Sequence, residues 1–262
     1  MLIDLHLHTK RSDGSSEPLE LLNYILFQHP DIAAVSITDH DTIAAYADVM
    51  PRVRDYPFRI ITGVEISCCS LGAENHILGY GVDLTNERLL AFLEQLRERR
   101  LQRSLTILQR LREIKIHIDP TFLTEKKGTT GRTNIARILV RQGLASTINE
   151  AFRLYLGIEA PTYVPDVKPD ADEVIDILHA AGGIAVLAHP FKTRTTEPIY
   201  DMIRRFRDLG IDGLECYYHS FTPVQIDQLV RIAFELSLIK TGGSDLHDLT
   251  RTVGVQVDTL DI

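Results

Sequence analysis

Short apolar runs recur along the chain with amphipathic stretches between them. LIDLHLH, IAAVSITDH, RIITGVEIS, NHILGYGV, GIAVLAHP, GLECYY and LIKTGGSD read as strands. They are rich in Val, Ile and Leu rather than strictly alternating, the pattern of strands covered on both faces. SEPLELLNYILFQ reads as a helix, with a cap at Ser16 and Pro18 in its first turn. DADEVIDILHAAGG, EPIYDMIRRFRDLG and TPVQIDQLVRIAFEL are further amphipathic helices, the first two stopped by glycine. Strand alternating with helix predicts a parallel α/β architecture, of which a barrel is the closed form.

The alternation breaks in the middle. From about Asn86 to about Tyr163 no strand pattern is present. NERLLAFLEQLRERRLQRSLTILQRLREI places Leu89, Leu93, Leu96, Leu101, Leu105, Leu108 and Leu111 near one helical stripe. TNIARILVRQGL and TINEAFRLYLG add two shorter helices, and the Pro-punctuated APTYVPDVKP closes the segment. The expectation is an all-helical insertion (86–163) in an α/β domain made of 1–85 and 164–262. Arg97, Arg99, Arg100 and Arg103 are interleaved with glutamates. A solvated face is the first reading for them, and a lid over an anionic substrate stays open.

With 262 residues the chain can form one barrel-sized domain carrying an insertion. Its 44% hydrophobic and 24% charged residues are ordinary for a globular protein, and a net charge of -8 argues against broad coating of nucleic acid or anionic membrane. Cys68, Cys69 and Cys216 form no CxxC spacing and suggest no disulfide framework. No basic leader followed by an apolar run is seen, nor an apolar stretch long enough to span a bilayer, so the default expectation is a cytoplasmic protein without membrane attachment.

Polar residues of ligand type gather at the carboxyl ends of the expected strands. IDLHLHTKRSDG carries His6 and His8, two positions apart and so on one strand face. Asp39 and His40 follow in SITDHD, Glu65 in GVEIS, His76 in ENHILGYG, His189 in LAHP, and Asp245 with His247 in GGSDLH. Singly, each has a bland alternative: a bonded core histidine, a helix cap, a turn aspartate. Six of the ten histidines at strand ends, accompanied by carboxylates, is a different matter. In a parallel α/β barrel those ends form the active-site face. Imidazole and carboxylate ligands suit Zn, Mn or Fe, and a carboxylate can bridge ions held roughly 3.5–4 Å apart. No Ser-His-Asp arrangement, reactive cysteine or Gly-rich phosphate loop stands out, so the expected nucleophile is a metal-activated hydroxide.

Together DLHLHT with SDG, TDHD, GVEIS, HILGYG, AHP and GSDLH resemble the motifs of the PHP (polymerase and histidinol phosphatase) superfamily across nearly the whole chain. GRTNIARILV, AFRLYLG and PTYVP are similar to the helical insertion of the subgroup holding nucleoside-bisphosphate and AMP phosphatases and a related 5′-to-3′ exoribonuclease. The resemblance implies a distorted (β/α)7 barrel with two or three divalent ions. By motif, His6, His8, Glu65 and Asp245 would hold one ion. Glu65 would bridge to a second, completed by His76 and His189, while Asp13, His40 and His247 would hold a third. Many relatives have a histidine where Asp13 stands.

The expected activity is phosphoester hydrolysis on a small phosphorylated metabolite, a nucleoside 3′,5′-bisphosphate foremost. Glu65, Asp245 and His247 carry the catalytic centre, with Asp245 or a nearby histidine handling protons. Arg132 in GRTNIA is the first choice for a phosphate clamp, against the alternative of a surface arginine at a helix start. Lys192 and Arg194 after AHP could reach the same anion, and His219 after GLECYY could face the site. His29, His117 and His179 are expected to be structural. In the subgroup PxYVP is commonly followed by a basic residue, whereas here Asp166 follows. A phosphodiesterase on a cyclic sugar phosphate or on short RNA 5′ ends is the alternative. A catalytically silent binding module is the third reading, opposed by ligand-type residues at all nine motif positions. Partners other than substrate and the oligomeric state are left open.

Overall fold

The computed structural model describes residues 1–70, 72–124, 128–250, 252–260 and 262. Its strands are β1 (Leu2–Leu7), β2 (Ile32–Ile37), β3 (Arg59–Ser70), β4 (Ala73–Tyr80), β5 (Ile184–Leu187), β6 (Gly213–Tyr218), β7 (Ile239–Gly243) and β8 (Val255–Gln256). The α-helices are α1 (Pro18–Gln28), α2 (Tyr46–Val49), α3 (Glu87–Glu113), α4 (Thr121–Thr124), α5 (Arg132–Arg141), α6 (Ile148–Ala151), α7 (Ala171–Ala180), α8 (Ile199–Leu209) and α9 (Pro223–Glu235).

All eight described strands belong to one sheet, ordered β7-β6-β5-β4-β3-β2-β1-β8. The sheet curls until its ends meet. The His8 N–H donates to the Leu246 carbonyl at 3.0 Å and the Leu246 N–H to that of His6 at 3.2 Å, which joins the far end of β1 to the segment after β7. At the other end of β1, Leu2 and Ile3 pair with the antiparallel β8, a two-residue strand the apolar pattern is too short to show. The result is a nearly closed α/β barrel with helices outside, the distorted PHP-type barrel that the motifs imply.

Two expectations change at β4. The alternation predicts parallel strands throughout, yet β3 and β4 pair antiparallel from Gly63–Tyr80 to Ser70–Ala73 as a hairpin, and β4 runs antiparallel to β5 as well. A connection this short admits no crossover helix, so the second strand must reverse. His76 therefore stands in the first half of its strand rather than at a carboxyl end. It still reaches the same rim, because a reversed strand starts where its neighbours finish.

Smaller differences concern helix ends and faces. The N-cap of α1 is Glu17 rather than Ser16, its N–H donating to Glu20 Oε2 at 3.0 Å. Along α3, Phe92 and Ile107 are buried while Leu105 is exposed. Over 27 residues a helix of 3.6 residues per turn drifts from a leucine-only stripe, and α3 changes partner part-way. Its first half packs Leu89, Phe92, Leu93 and Leu96 into the main barrel core with Val174, Ile175 and Leu178 of α7. The second half contributes Ile107, Leu108 and Leu111 to a separate core with Ile135 and Leu139 of α5 and Leu156.

The segment leading into α5 is sewn onto the barrel rim. The Thr129 N–H donates to the Arg11 carbonyl at 2.7 Å, and its hydroxyl to the His40 carbonyl at 2.6 Å. Gly128, at φ +128°, lies so close that an added Cβ would sit 2.0 Å from the Arg11 carbonyl oxygen. Only glycine combines that backbone with that approach. Asn134 in the first turn of α5 donates to the Ser12 carbonyl at 3.3 Å. These bonds fix the amino end of α5, and with it Arg132, beside the rim.

Candidate metal centre and cleft

Most rim side chains are delivered by a strand end or the turn beyond it. Glu65, in contrast, stands in the middle of β3, which continues to Ser70 past the carboxyl end expected of it, and His76 lies within β4. His6 lies on β1 and His8 just past it, and His40, His189 and the Asp245–His247 pair follow β2, β5 and β7. Asp39, in contrast, is spent on the loop. It accepts from the Thr9 N–H at 2.7 Å, the Thr9 hydroxyl at 2.6 Å and the Ser12 hydroxyl at 2.5 Å, which shapes the turn that presents Asp13. Three residues at the rim adopt left-handed backbone angles: Asp41 at φ 52°, His189 at 24° and Asp245 at 51°. Non-glycine residues persist there only where surrounding contacts impose it.

Glu65 is the hub. Among the described residues, five imidazoles reach its carboxylate. Oε1 lies 2.7 Å from His76 Nδ1 and 3.0 Å from His189 Nε2. Oε2 lies 3.2 Å from His6 Nε2, 3.2 Å from His8 Nε2 and 3.1 Å from His40 Nδ1. Asp245 Oδ1 stands 3.1 Å from His8 Nε2, and its Oδ2 accepts from the Tyr218 hydroxyl at 2.6 Å and Lys192 Nζ at 3.1 Å. Asp13 Oδ1 is 3.1 Å from His247 Nε2 and 4.0 Å from His40 Nε2. Three sets of side chains bring ligand atoms within 4.8 Å of one another: His6, His8, Glu65 and Asp245; His40, Glu65 and His76; His8, Asp13, His40 and His247. All nine motif residues thus meet in one cluster, with His40 and His8 shared more widely than the motifs imply and His189 joined through Glu65.

The donor atoms fit divalent cations. His6 Nε2, His8 Nδ1 and Nε2, His40 Nδ1, Glu65 Oε2 and Asp13 Oδ1 are buried without a geometrically sound hydrogen-bond partner. Buried polar atoms left so are costly, and several facing one another form a donor set that a cation would satisfy. The ionisation of the cluster agrees. Burial alone would depress the His6 and His8 imidazoles, but Glu215, Glu65 and Asp245 raise His6 well above its ordinary value, and Asp245 and Glu65 push His8 up to about 10. Burial likewise opposes His76, which Glu65 lifts to about 9. Against the same burial penalty, neighbouring imidazoles hold Glu65, Asp13 and Asp245 well below the carboxylate range. His40 is the exception, where burial wins and its pKa falls.

Opposite the cluster runs a cleft of about 1100 Å³, lined by rim residues and by Arg103, Arg132, Phe152, Tyr163, Lys168, Lys192 and Arg194. A narrower recess between Asp13, His40 and the start of α5 is walled by Arg100, Arg103 and Arg132. Arg132 packs its guanidinium 5.5 Å from the Phe152 ring centre and 6.0 Å from that of Tyr163. Arg100 and Arg103 do not form a solvated face. Arg100 bonds Asp41 and donates to Ser67 Oγ at 3.2 Å, and Arg103 pairs with Asp166 at 2.6 Å. Arg97, one turn earlier, instead pairs with Glu94 on the helix itself at 2.6 Å. His219 also departs from expectation: it is exposed, its ring tilted 45° against that of Tyr218 at 4.7 Å, and it lines neither cavity. His179 pairs with Asp212 at 2.8 Å, away from the rim.

Several participants carry no motif. Glu215 lies fully buried in β6, and Tyr218, Lys168 and Glu74 flank the cluster. A glutamate inside the apolar run GLECYY is the one signal that could have drawn attention to Glu215.

No protein-family model matches the chain. A 5′-3′ exoribonuclease of Haemophilus influenzae is 34% identical over 249 residues, covering 93% of this chain and 89% of its own length. A 3′,5′-nucleoside bisphosphate phosphatase of Chromobacterium violaceum is 28% identical over 256 residues, covering 94% and 87%. A crystal structure from Bifidobacterium adolescentis, assigned as a metal-dependent phosphoesterase, superposes with a TM-score of 0.86 at 28% identity, covering 99% of this chain and 92% of that one. Among the described residues no helix is long and apolar enough to cross a membrane. With its barrel, its rim cluster of imidazoles and carboxylates and these relatives, the chain belongs to the PHP superfamily of metal-dependent phosphoesterases.

Proposed function

We propose that the chain hydrolyses a phosphoester of a nucleotide that carries a second phosphate, a nucleoside 3′,5′-bisphosphate foremost. His6, His8, Glu65 and Asp245 would hold one divalent ion, Glu65, His76 and His189 a second, and Asp13, His40 and His247 a third, with Mn, Zn or Fe the metals suited to these donors. The observation that carries the reading is the set of buried, unpartnered donor atoms around Glu65, set beside an arginine-walled recess. When bound, such ions supply Lewis-acid activation of water and neutralise charge on the phosphoryl oxygens.

The protein's own residues do the rest. Lys192, fixed by Asp245 and lying over the Tyr218 ring at 4.5 Å, places a cation beside the reacting phosphoryl group, and Arg194 extends that charge along the cleft. Tyr218 and Lys192 occupy Oδ2 of Asp245, which turns Oδ1 toward His6 and His8. On the opposite wall Arg132 and Arg103 clamp the phosphate that is not cleaved, and Phe152 and Tyr163 offer rings beside it. The segment 86–163 serves as the substrate-side domain of this arrangement, and 1–85 with 164–262 as the metal-binding domain.

A second reading, exonucleolytic attack on the 5′ end of short RNA, is favoured by the cleft volume, which exceeds the need of one nucleotide. Metal-loaded protein assayed against nucleoside bisphosphates, cyclic sugar phosphates and short 5′-phosphorylated RNAs separates the readings. Turnover of the bisphosphates with the highest kcat/KM is expected. A protein that binds divalent ions yet turns over none of these esters would overturn the proposal.

A further inference from the structure

Glu215 sits in β6 with no solvent contact and no motif to announce it. Its Oε1 lies 2.9 Å from His6 Nδ1, and its Oε2 accepts the backbone N–H of His189 at 2.7 Å. One carboxylate therefore grips two rim residues that come from different strands. At His6 it receives the ring nitrogen that points away from the cluster, so it holds a proton on Nδ1 and leaves Nε2, the nitrogen aimed at Glu65, as the one that would bind an ion. At His189 it bonds a backbone bent to φ 24°, a conformation few side chains accept without support. The His6 and His189 rings then stack at 5.6 Å, with only 23° between their planes.

We infer that Glu215 is a positioning residue of the metal centre, a single buried carboxylate that fixes the tautomer of His6 and the backbone of His189 so that both rings meet Glu65. The inference rests on the metal-dependent reading above and deepens it. A carboxylate receiving the second nitrogen of a ligating imidazole raises its donor strength and locks its plane, and losing such a partner costs about 10–100-fold in metal affinity or activity. Glu215 does more than that ordinary partner, since it supports a second ligand at the same time. Glutamine cannot replace it. An amide has one acceptor atom where two donors, the His6 Nδ1–H and the His189 N–H, both require one.

The test uses the full-length protein, wild type and Glu215→Gln, loaded with Co(II). In the wild type a solvent-protected, hyperfine-shifted Nδ1–H resonance assigned to His6 is expected, along with full ion stoichiometry by metal analysis. In Glu215→Gln that resonance should vanish, the dissociation constant of the most weakly held ion should rise about 10–100-fold, and kcat should fall more than KM changes. Glu215→Asp, which retains both acceptors, should recover part of the affinity. Unchanged ion affinity in a folded Glu215→Gln protein would overturn the inference and leave the phosphoesterase reading standing. So would a wild-type spectrum showing His6 bound through Nδ1, a measurement that needs no folded variant. A wild type that takes up no divalent ion would overturn both.

Discussion

On the barrel wall of the cleft, His6 and Glu65 stand within β1 and β3, His8 and Asp245 just past β1 and β7, and Glu65 touches five imidazoles at once. On the insertion wall, Arg100, Arg103 and Arg132 reach across from helices, each held by a partner of its own: Asp41, Asp166, and the rings of Phe152 and Tyr163. The first wall is a network with one shared member, so it should fail as a unit. The second is a set of separate contacts that should be lost one at a time, each at a modest cost. The same chain places an acceptor-rich surface and a donor-rich surface face to face, and the function proposed above gives chemistry to the first and recognition to the second.

The largest effect should come from the hub. Glu65→Gln is expected to lose bound metal and lower phosphoesterase activity by more than roughly a hundredfold while the circular dichroism of the fold is kept. Full activity with an unchanged ion count would break the network description of the barrel wall.

Next comes the opposite wall. A charge-assisted contact from Arg132 to phosphate is worth about 1.5–3 kcal/mol. Arg132→Ala should lower kcat/KM for a bisphosphorylated substrate by about tenfold to a hundredfold, with far less effect on p-nitrophenyl phosphate and none on metal content. Equal losses on both substrates would erase the division between the walls.

A third expectation concerns protons. In the metal-free protein His8 and His76 are held at about 10 and about 9, above their ordinary value. Incoming ions must displace those protons, so ion affinity should rise with pH through the window between 6.5 and about 10, by up to about tenfold per pH unit for each proton released. Calorimetry in buffers of different ionisation enthalpy checks the proton count. The sign for stability is opposite: raised imidazole pKa values stabilise the metal-free fold fully below pH 6.5, and that contribution fades as pH rises through 9 to 10. Urea unfolding of the metal-free protein between pH 6 and 10 should show it.

The smallest effect is assigned to Asp166, which pairs with Arg103 at 2.6 Å and Lys168 at 3.4 Å on the insertion wall. Asp166→Asn frees these cations for substrate. A partly exposed pair is worth about 0.2–1 kcal/mol, so KM for a bisphosphate should fall by no more than about fivefold with kcat unchanged. A rise in KM would mean that Asp166 orients Arg103 rather than competing for it.

The two walls also differ in how far the sequence discloses them. His6, His8, His40, His189 and His247 are readable because strand ends at a barrel rim face one place, and polar residues there contrast with the apolar runs before them. His76 is legible as a ligand type, but its strand direction is not, since an antiparallel strand covered on both faces carries the same apolar run as a parallel one. Glu215 is hidden because its pairing with His6 spans 209 positions. Arg100 and Arg103 hide for another reason: on a long charged helix, only the packing of α3 against two cores decides which arginines turn inward. His219 follows β6 yet points outward, one step beyond the strand where the facing alternates.

That same helix, α3, has a mechanical consequence. One uninterrupted rod is anchored at one end in the barrel core and at the other in the insertion core, and a sharp kink between them would cost it helix hydrogen bonds. The return chain adds a second strut, with the Cys69 N–H donating to the Pro169 carbonyl at 2.9 Å. The two walls are thus jaws set to a fixed gauge rather than a hinged lid. On the proposed bisphosphate reading, the second phosphate must fall where the rod holds the arginines when the first is at the rim, which would make discrimination a matter of length as well as charge.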